Sequence, residues 1–317
     1  MPHSTLYSVA ISENTLPLPL WENADDDGVS WLCKESETYL LGMPQLCLKG
    51  LSESWLLKEL GHRHWMMLAR LAGLKAPSFA DEHGTPVYAA FCALSIREAG
   101  FGEARENENL LITTKLRRVS RTQMLSYHQL YLSGYAVGSV EMISTFVRRT
   151  VEGGNHTVSR YGVPGFPPVS DKSSTLGLAS CAAAVRSGRA DNHMGFAIDE
   201  HPAHTSMRFD PCPAQDFNGA GFLYFSSFVS FVDRAEWQFA REHSLTATTS
   251  RRDVFFSGNI DPGETLVVKL MGLREDAGCL AHHCQMVREQ DGMTLARIFT
   301  IRQLPKASQQ TRMQATP

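Results

Sequence analysis

Two windows of this chain carry apolar residues at helical spacing, and each is followed by four shorter windows that alternate apolar with polar residues or run apolar without a break. In the first, Ser52 supplies a helix N-cap, and Leu56, Leu60, Met67 and Leu71 form one stripe that runs to about residue 72. In the second, Phe225, Phe228, Val229, Val232 and Phe239 recur on one face and predict a helix ending near residue 243. Strand windows follow the first helix at 87–96, 110–116, 124–132 and 137–147. A strand window at 205–209 precedes the second helix, and windows at 252–256, 265–272, 280–288 and 295–302 follow it. A strand, one long helix and four antiparallel strands, twice over, read as an internal duplication. Neither copy can cover its helix without a curved sheet wrapped around it.

Smaller parallels support the duplication. Gly50 and Gly221 open the two helices, and His64 and Glu236 each stand one residue before a tryptophan, Trp65 and Trp237, at similar depth. The expected organisation is a first unit over 1–150, a Gly/Pro-rich linker over 151–175, a second unit over 176–306 and a disordered polar tail over 307–317. A short connecting helix is expected over 176–186, and a loose lead-in with one short strand before residue 40.

Composition narrows the function classes. The 317 residues are 43% hydrophobic and 20% charged, enough for an ample core. A net charge of −3 without a basic block gives no case for nucleic acid. No apolar run reaches the roughly 20 residues that cross a bilayer. The start lacks a basic segment followed by an apolar one, and seven cysteines without a Cys-x-x-Cys pair fit reduced thiols. The expectation is a cytoplasmic protein with no membrane and no nucleic-acid partner.

Chemistry concentrates before the second helix, at Asp216-Phe217-Asn218-Gly219-Ala220-Gly221-Phe222-Leu223-Tyr224. Glycines let a backbone approach a ligand, and the first N–H groups of a helix point outward with partial positive charge. That combination suits a thioester carbonyl becoming an oxyanion, although an ordinary loop capping a core helix has the same appearance.

A long helix cradled by an antiparallel sheet resembles the hot-dog fold, and two copies imply a double hot-dog of class α+β. The turn is similar to the Asp-x-Asp-x-x-Gly-x-x-Tyr signature of 4-hydroxybenzoyl-CoA-type thioesterases, with Asn218 where their hydrolytic aspartate stands. An amide is neither nucleophile nor general base at neutral pH. From about residue 42 to residue 302 the chain more closely resembles the leinamycin-pathway bifunctional acyltransferase/decarboxylases of polyketide biosynthesis. The resemblance rests on the Asn218-Gly219-Ala220-Gly221 turn, on Gly61-His62-Arg63-His64-Trp65, and on Thr85-Pro86-Val87-Tyr88-Ala89-Ala90-Phe91. It implies decarboxylation of malonyl- or methylmalonyl-CoA and transfer of the acetyl or propionyl product to an acyl carrier protein. No cofactor or metal is implied beyond coenzyme A and phosphopantetheine as substrate and acceptor, and the chain is expected as monomer or homodimer. Acyl-CoA hydrolysis, dehydration or non-catalytic binding of an acyl thioester are the alternatives.

Tyr88 matches the tyrosine proposed to accept the acyl group in that family. A phenol with a pKa near ~10 is a poor nucleophile at pH 7, so the milder role of proton donor to an enolate is physically easier. Tyr88 and Asn218 are the catalytic candidates, with Gly219, Gly221, His64 and Glu236 as substrate-binding candidates. His64 also fits a satisfied core histidine, and Glu236 a buried carboxylate with a partner. Cys279, His282, His283 and Cys284 alternate sides along a strand, which argues against one metal site. Arg251-Arg252 and Arg117-Arg118 are candidates for phosphate contact, though solvated surface charge is the commoner use of such pairs.

Overall fold

The computed structural model describes residues 31–150, 154–168, 177–198, 201–276 and 278–305. Most of the expected lead-in and the tail lie outside the described residues. In chain order the main elements are β1 (Cys33–Leu40), α1 (Glu53–Leu71), β2 (Pro86–Arg97), β3 (Asn109–Arg118), β4 (Gln123–Leu132) and β5 (Tyr135–Arg149). Then come α2 (Leu178–Arg186), β6 (Thr205–Phe209), α3 (Phe225–Phe239), β7 (Thr248–Phe256), β8 (Leu266–Asp276), β9 (Cys279–Arg288) and β10 (Thr294–Gln303).

The strands make one antiparallel sheet in the order β1-β3-β4-β5-β2-β7-β10-β9-β8-β6. On either side of the β2–β7 junction the order is the same, which is the duplicated plan read from the apolar spacing. The junction pairs Ser95 with Asp253 and Leu94 with Val254, so the two sets of strands share one continuous sheet.

Ser52 caps α1 by accepting the Trp55 N–H at 3.3 Å. Leu56, Leu57 and Leu60 of α1 share a core with Phe228, Phe231 and Val232 of α3 and with Leu94, Val254 and Ile298 of the sheet. At the helix crossing, a Cβ on Gly61 would lie 2.8 Å from the Phe225 ring, so glycine makes room for that ring. The opposite face carries α2, whose Leu178, Ala182 and Val185 pack on Ala93, Phe255 and Phe299.

Three expectations change. The second helix ends at Phe239, and a separate turn, Arg241–Ser244, follows the extended φ of −139° at Ala240. The two tryptophans do not sit at equal depth, because Trp65 packs against the core whereas Trp237 is exposed under the Arg241 guanidinium. The interval expected as a linker contributes structure, since Val158–Arg160 pairs with the end of β5 and Asn155 is buried.

Candidate functional site

The turn before α3 is held from both sides. Asn218 Oδ1 accepts the N–H groups of Ala220 at 3.0 Å and Phe222 at 3.1 Å, and the Gly221 N–H closes back on the Asn218 carbonyl at 2.9 Å. Gly221 has a φ of +75°, a conformation that favours glycine. Arg149 donates to the Ala220 carbonyl at 2.5 Å and to Asn155 Oδ1 at 2.7 Å, while Asn155 Nδ2 donates to Gly221 and Ile260 carbonyls at 2.7 Å. On the other flank Asn259 brackets Leu223, accepting its N–H and donating to its carbonyl. These contacts leave the Gly219 N–H, Asn218 Nδ2 and the Phe225 and Ser226 amides at the start of α3 without a partner among the described residues.

Those groups border a cavity of about 650 Å³ where the two sets of strands meet. Tyr88, Phe91 and Cys92 of β2 line one wall, and Asn218, Gly219 and Tyr224 line the other. The Tyr88 ring meets Phe222 edge-on at 5.4 Å and lies under the Arg149 guanidinium, also at 5.4 Å. Its hydroxyl has no hydrogen-bond partner among the described residues. A Cβ at Gly219 would meet nothing within 4 Å, which places this residue against open space. Trp65 is fixed in the wall by donating its indole N–H to the Ala89 carbonyl at 2.8 Å. Tyr224 is half-buried, and burial, with the Glu59 charge, pushes its pKa up to about 12. Thr145 Oγ1 is buried without a partner beside it. The described lining contains no aspartate, glutamate or histidine.

Three of the residues proposed from the sequence do not line this cavity. Gly221 shapes the turn, but its N–H is used within it. His64 is fully buried in α1, 2.8 Å from the hydroxyls of both Ser126 and Ser144, and burial pushes its pKa down to about 3. Ser126 passes the chain of hydrogen bonds to His128 at 2.9 Å and on to Thr114 at 2.9 Å. Glu236, 1% exposed, accepts from His282 and Arg302, each at 2.8 Å, and from Ser244 at 3.0 Å. Burial disfavours its charge, but the Arg302 guanidinium and the His282 hydrogen bond outweigh that, and its pKa is lowered. Both residues are satisfied core partners of the sheet.

The basic pairs have other uses too. Arg252 is completely buried between Asp233 and Glu53, and Arg251 pairs with Asp253. Arg118 binds backbone carbonyls, including Phe166 and Pro167, and Arg117 lies over Trp31. At the cavity the cations are instead Arg160 and Arg186, neither in a salt bridge among the described residues. Neither carried a sequence signal. Asn155 was also hidden, because a buried asparagine in a Gly/Pro-rich interval looks like any loop residue.

For metals, His282 and His283 do face opposite ways, one to Glu236 and the other stacked on Phe299 at 4.2 Å. His156, Asp261 and Glu264 bring three ligand atoms together, but Glu264 already accepts from His156 and from the Asp261 N–H, so the group stitches loops. All seven cysteines are free thiols. No described helix is long and apolar enough to cross a membrane.

No protein-family model matches the chain, and no curated protein matches it by sequence. Solved structures do match. An acyl-ACP thioesterase from Bacteroides thetaiotaomicron aligns with TM-score 0.58 and 10% identity, over 85% of this chain and 98% of its own. A 12:0-ACP thioesterase from Umbellularia californica aligns with TM-score 0.59 and 11% identity, over 86% of this chain and 94% of its own. The fold is that of the hot-dog thioesterases. At such low identity the likeness concerns the fold, and the chemistry has to be argued from this chain's own residues.

Proposed function

We propose that the chain is a double hot-dog acyltransferase/decarboxylase that acts on a malonyl- or methylmalonyl-CoA thioester and passes the acyl product to an acyl carrier protein. The observation that carries this reading is a cavity with oxyanion donors and a phenol but no carboxylate or imidazole in its described lining. Hydrolysis needs a group that activates water, and none of the described lining side chains does so at neutral pH. Loss of CO2 needs no base. It needs an apolar pocket that favours the dispersed charge of the departing carboxylate, and donors for the oxygen of the enolate left behind.

The Gly219 N–H, Asn218 Nδ2 and the start of α3 supply those donors, and removal of one such donor typically costs ~3–4 kcal/mol of barrier. In this mechanism the carbon–carboxyl bond breaks, its electron pair enters the enolate, and the Tyr88 hydroxyl protonates the carbon. Water then restores the phenol. The product is still a thioester, and the carrier thiol displaces coenzyme A from it. Arg160 and Arg186 are placed to meet the phosphate end of a pantetheine arm.

Mass spectrometry of a carrier protein incubated with this chain and either malonyl- or methylmalonyl-CoA tests the reading. Mass gains of an acetyl or propionyl group, with CO2 release, are expected. Tyr88→Phe should lower that activity at least 100-fold while the melting temperature stays nearly unchanged; full activity in this variant removes Tyr88 from the mechanism. The second reading, hydrolysis of an acyl thioester, is favoured by the fold likeness to acyl-ACP thioesterases. It predicts free acid and no change of mass on the carrier.

A further inference from the structure

On the face of the sheet away from α1 and α3, three side chains form a chain of contacts that the cavity does not use. Cys181 of α2 places its Sγ 3.3 Å from His193 Nδ1, and His193 Nε2 lies 2.8 Å from Asp253 Oδ2. Asp253 is itself fixed, accepting the Ser95 hydroxyl at 2.5 Å and Arg251 Nη2 at 2.9 Å, with 1% exposure. The His193 ring is held edge-on between Phe255, at 5.0 Å, and Phe299, at 4.8 Å. A thiol within reach of an imidazole, itself oriented by a buried carboxylate, is the arrangement that activates sulfur as a nucleophile. A merely structural cysteine needs none of it. Cys181 is only partly buried.

We propose that Cys181, His193 and Asp253 form a thiol-centred acyl-transfer site, separate from the cavity, which takes an acyl group from a small acyl thioester onto the Cys181 sulfur. The choice of a thioester as donor rests on the acyl-thioester reading above; the nucleophile itself rests on geometry alone. The Cys181 thiolate attacks the carbonyl carbon and forms a new carbon–sulfur bond. The bond to the departing thiol breaks, and that thiolate takes the proton held by His193. One thioester replaces another, so no oxidant or further reactant is needed. Arg186 stands five residues after Cys181 on α2, about 7.5 Å along the axis, and also lines the cavity. The thiol therefore sits near the middle of this short helix and the cavity arginine at its C-terminal end.

The electrostatics agree with the geometry. Burial works against a charged His193, but hydrogen bonds to Asp253 and Cys181 outweigh it and raise its pKa to about 9. Among the described residues, the charged or titratable groups around the three include Arg251, Glu141, His283 and Arg274, which donates to the Met194 carbonyl next to His193. A raised histidine pKa means that the imidazolium, the form that gives its proton to the departing thiolate, persists from acid up to about pH 9.

Incubation of the full chain with propionyl-CoA, followed by peptide mass spectrometry, tests the proposal. A hydroxylamine-sensitive propionyl group on Cys181 is expected, formed at least tenfold more slowly in His193→Gln. Absence of the adduct, or an equal rate in His193→Gln, overturns the proposal. A second measurement needs no variant. At pH 6, iodoacetamide should modify Cys181 at least tenfold faster than the exposed Cys47 and Cys212, and equal rates overturn the proposal. Failure here is distinct from failure of the cavity reading, which is scored by CO2 release and by the mass of the carrier.

Discussion

The two long helices reach their sheet through equivalent side chains with opposite chemistry. In α1, His64 meets hydroxyls on β4 and β5, a neutral network from Ser144 through Ser126 and His128 to Thr114. In α3, Glu236 meets His282 on β9 and Arg302 on β10, and Arg302 extends the cluster to Asp233 and to Glu53 at the start of α1. The same topological position thus holds a polar node in one copy and an ionic node in the other. The topology requires a satisfied polar contact between helix and sheet there, and it is indifferent to how that contact is charged. Neither node lines the cavity, which instead draws Tyr88 from one copy and Asn218 from the other.

Breaking the ionic node should have the largest effect on stability. Glu236→Gln leaves the buried Arg302 without the most deeply buried of its carboxylate partners, and loss of one partner of a buried ion pair typically costs about 3–5 kcal/mol. Urea unfolding at pH 7 measures it; a loss below 1 kcal/mol would mean that Asp233 and Glu53 neutralise Arg302 alone. Next comes Asn155→Ala, which strips hydrogen bonds from Arg149 and from two carbonyls. A cost of about 1–3 kcal/mol is expected, together with a loss of activity beyond what the fall in stability explains.

The two nodes should also respond differently to acid. His64 is neutral when folded, with its pKa pushed down to about 3, whereas the unfolded chain binds a proton near pH 6.5. The unfolded state then holds more protons, so the stability from this group is complete above about pH 6.5 and falls as pH drops from there toward 3. The slope reaches ~1.4 kcal/mol per unit, and His128, also lowered by burial, adds to it. The lowered Glu236 pKa acts in the same direction but only below its ordinary range near 4.5. Unfolding measured between pH 7 and 5 should therefore lose about one proton's dependence in His64→Gln and almost none in Glu236→Gln.

The smallest stability effect is expected at the cavity. Asn218→Asp keeps the oxygen that accepts from Ala220 and Phe222, so a change below about 0.5 kcal/mol is expected. Its carboxylate would repel a malonyl group and offer a base to water. Carrier loading should then fall at least tenfold and free acid should appear, both readable by the same mass spectrometry.

Much of the scaffold was legible because it rests on local rules. The stripes of α1 and α3, the Ser52 cap and the alternation in β3 are written in neighbouring residues. The end of α3 was not, since the chain leaves the helix at Ala240 without a glycine or proline to mark it. β8 was read too short because its exposed end, Arg274-Glu275-Asp276, has no apolar side. At the site, the turn and Tyr88 carried motifs, whereas Asn155, Arg160 and Arg186 acquire their positions only through tertiary folding. The helical spacing that marked His64 and Glu236 as equivalent carried no information on where the cavity would open.

Tyr88 and the Asn218-Gly219 turn, to which the proposed chemistry is assigned, stand on different stretches of chain, more than a hundred positions apart, in two sets of strands joined across the β2–β7 line of hydrogen bonds. If the polypeptide were cut between those stretches, each piece would carry half of the chemistry. Turnover would then follow the product of the two concentrations, and dilution alone would switch it off.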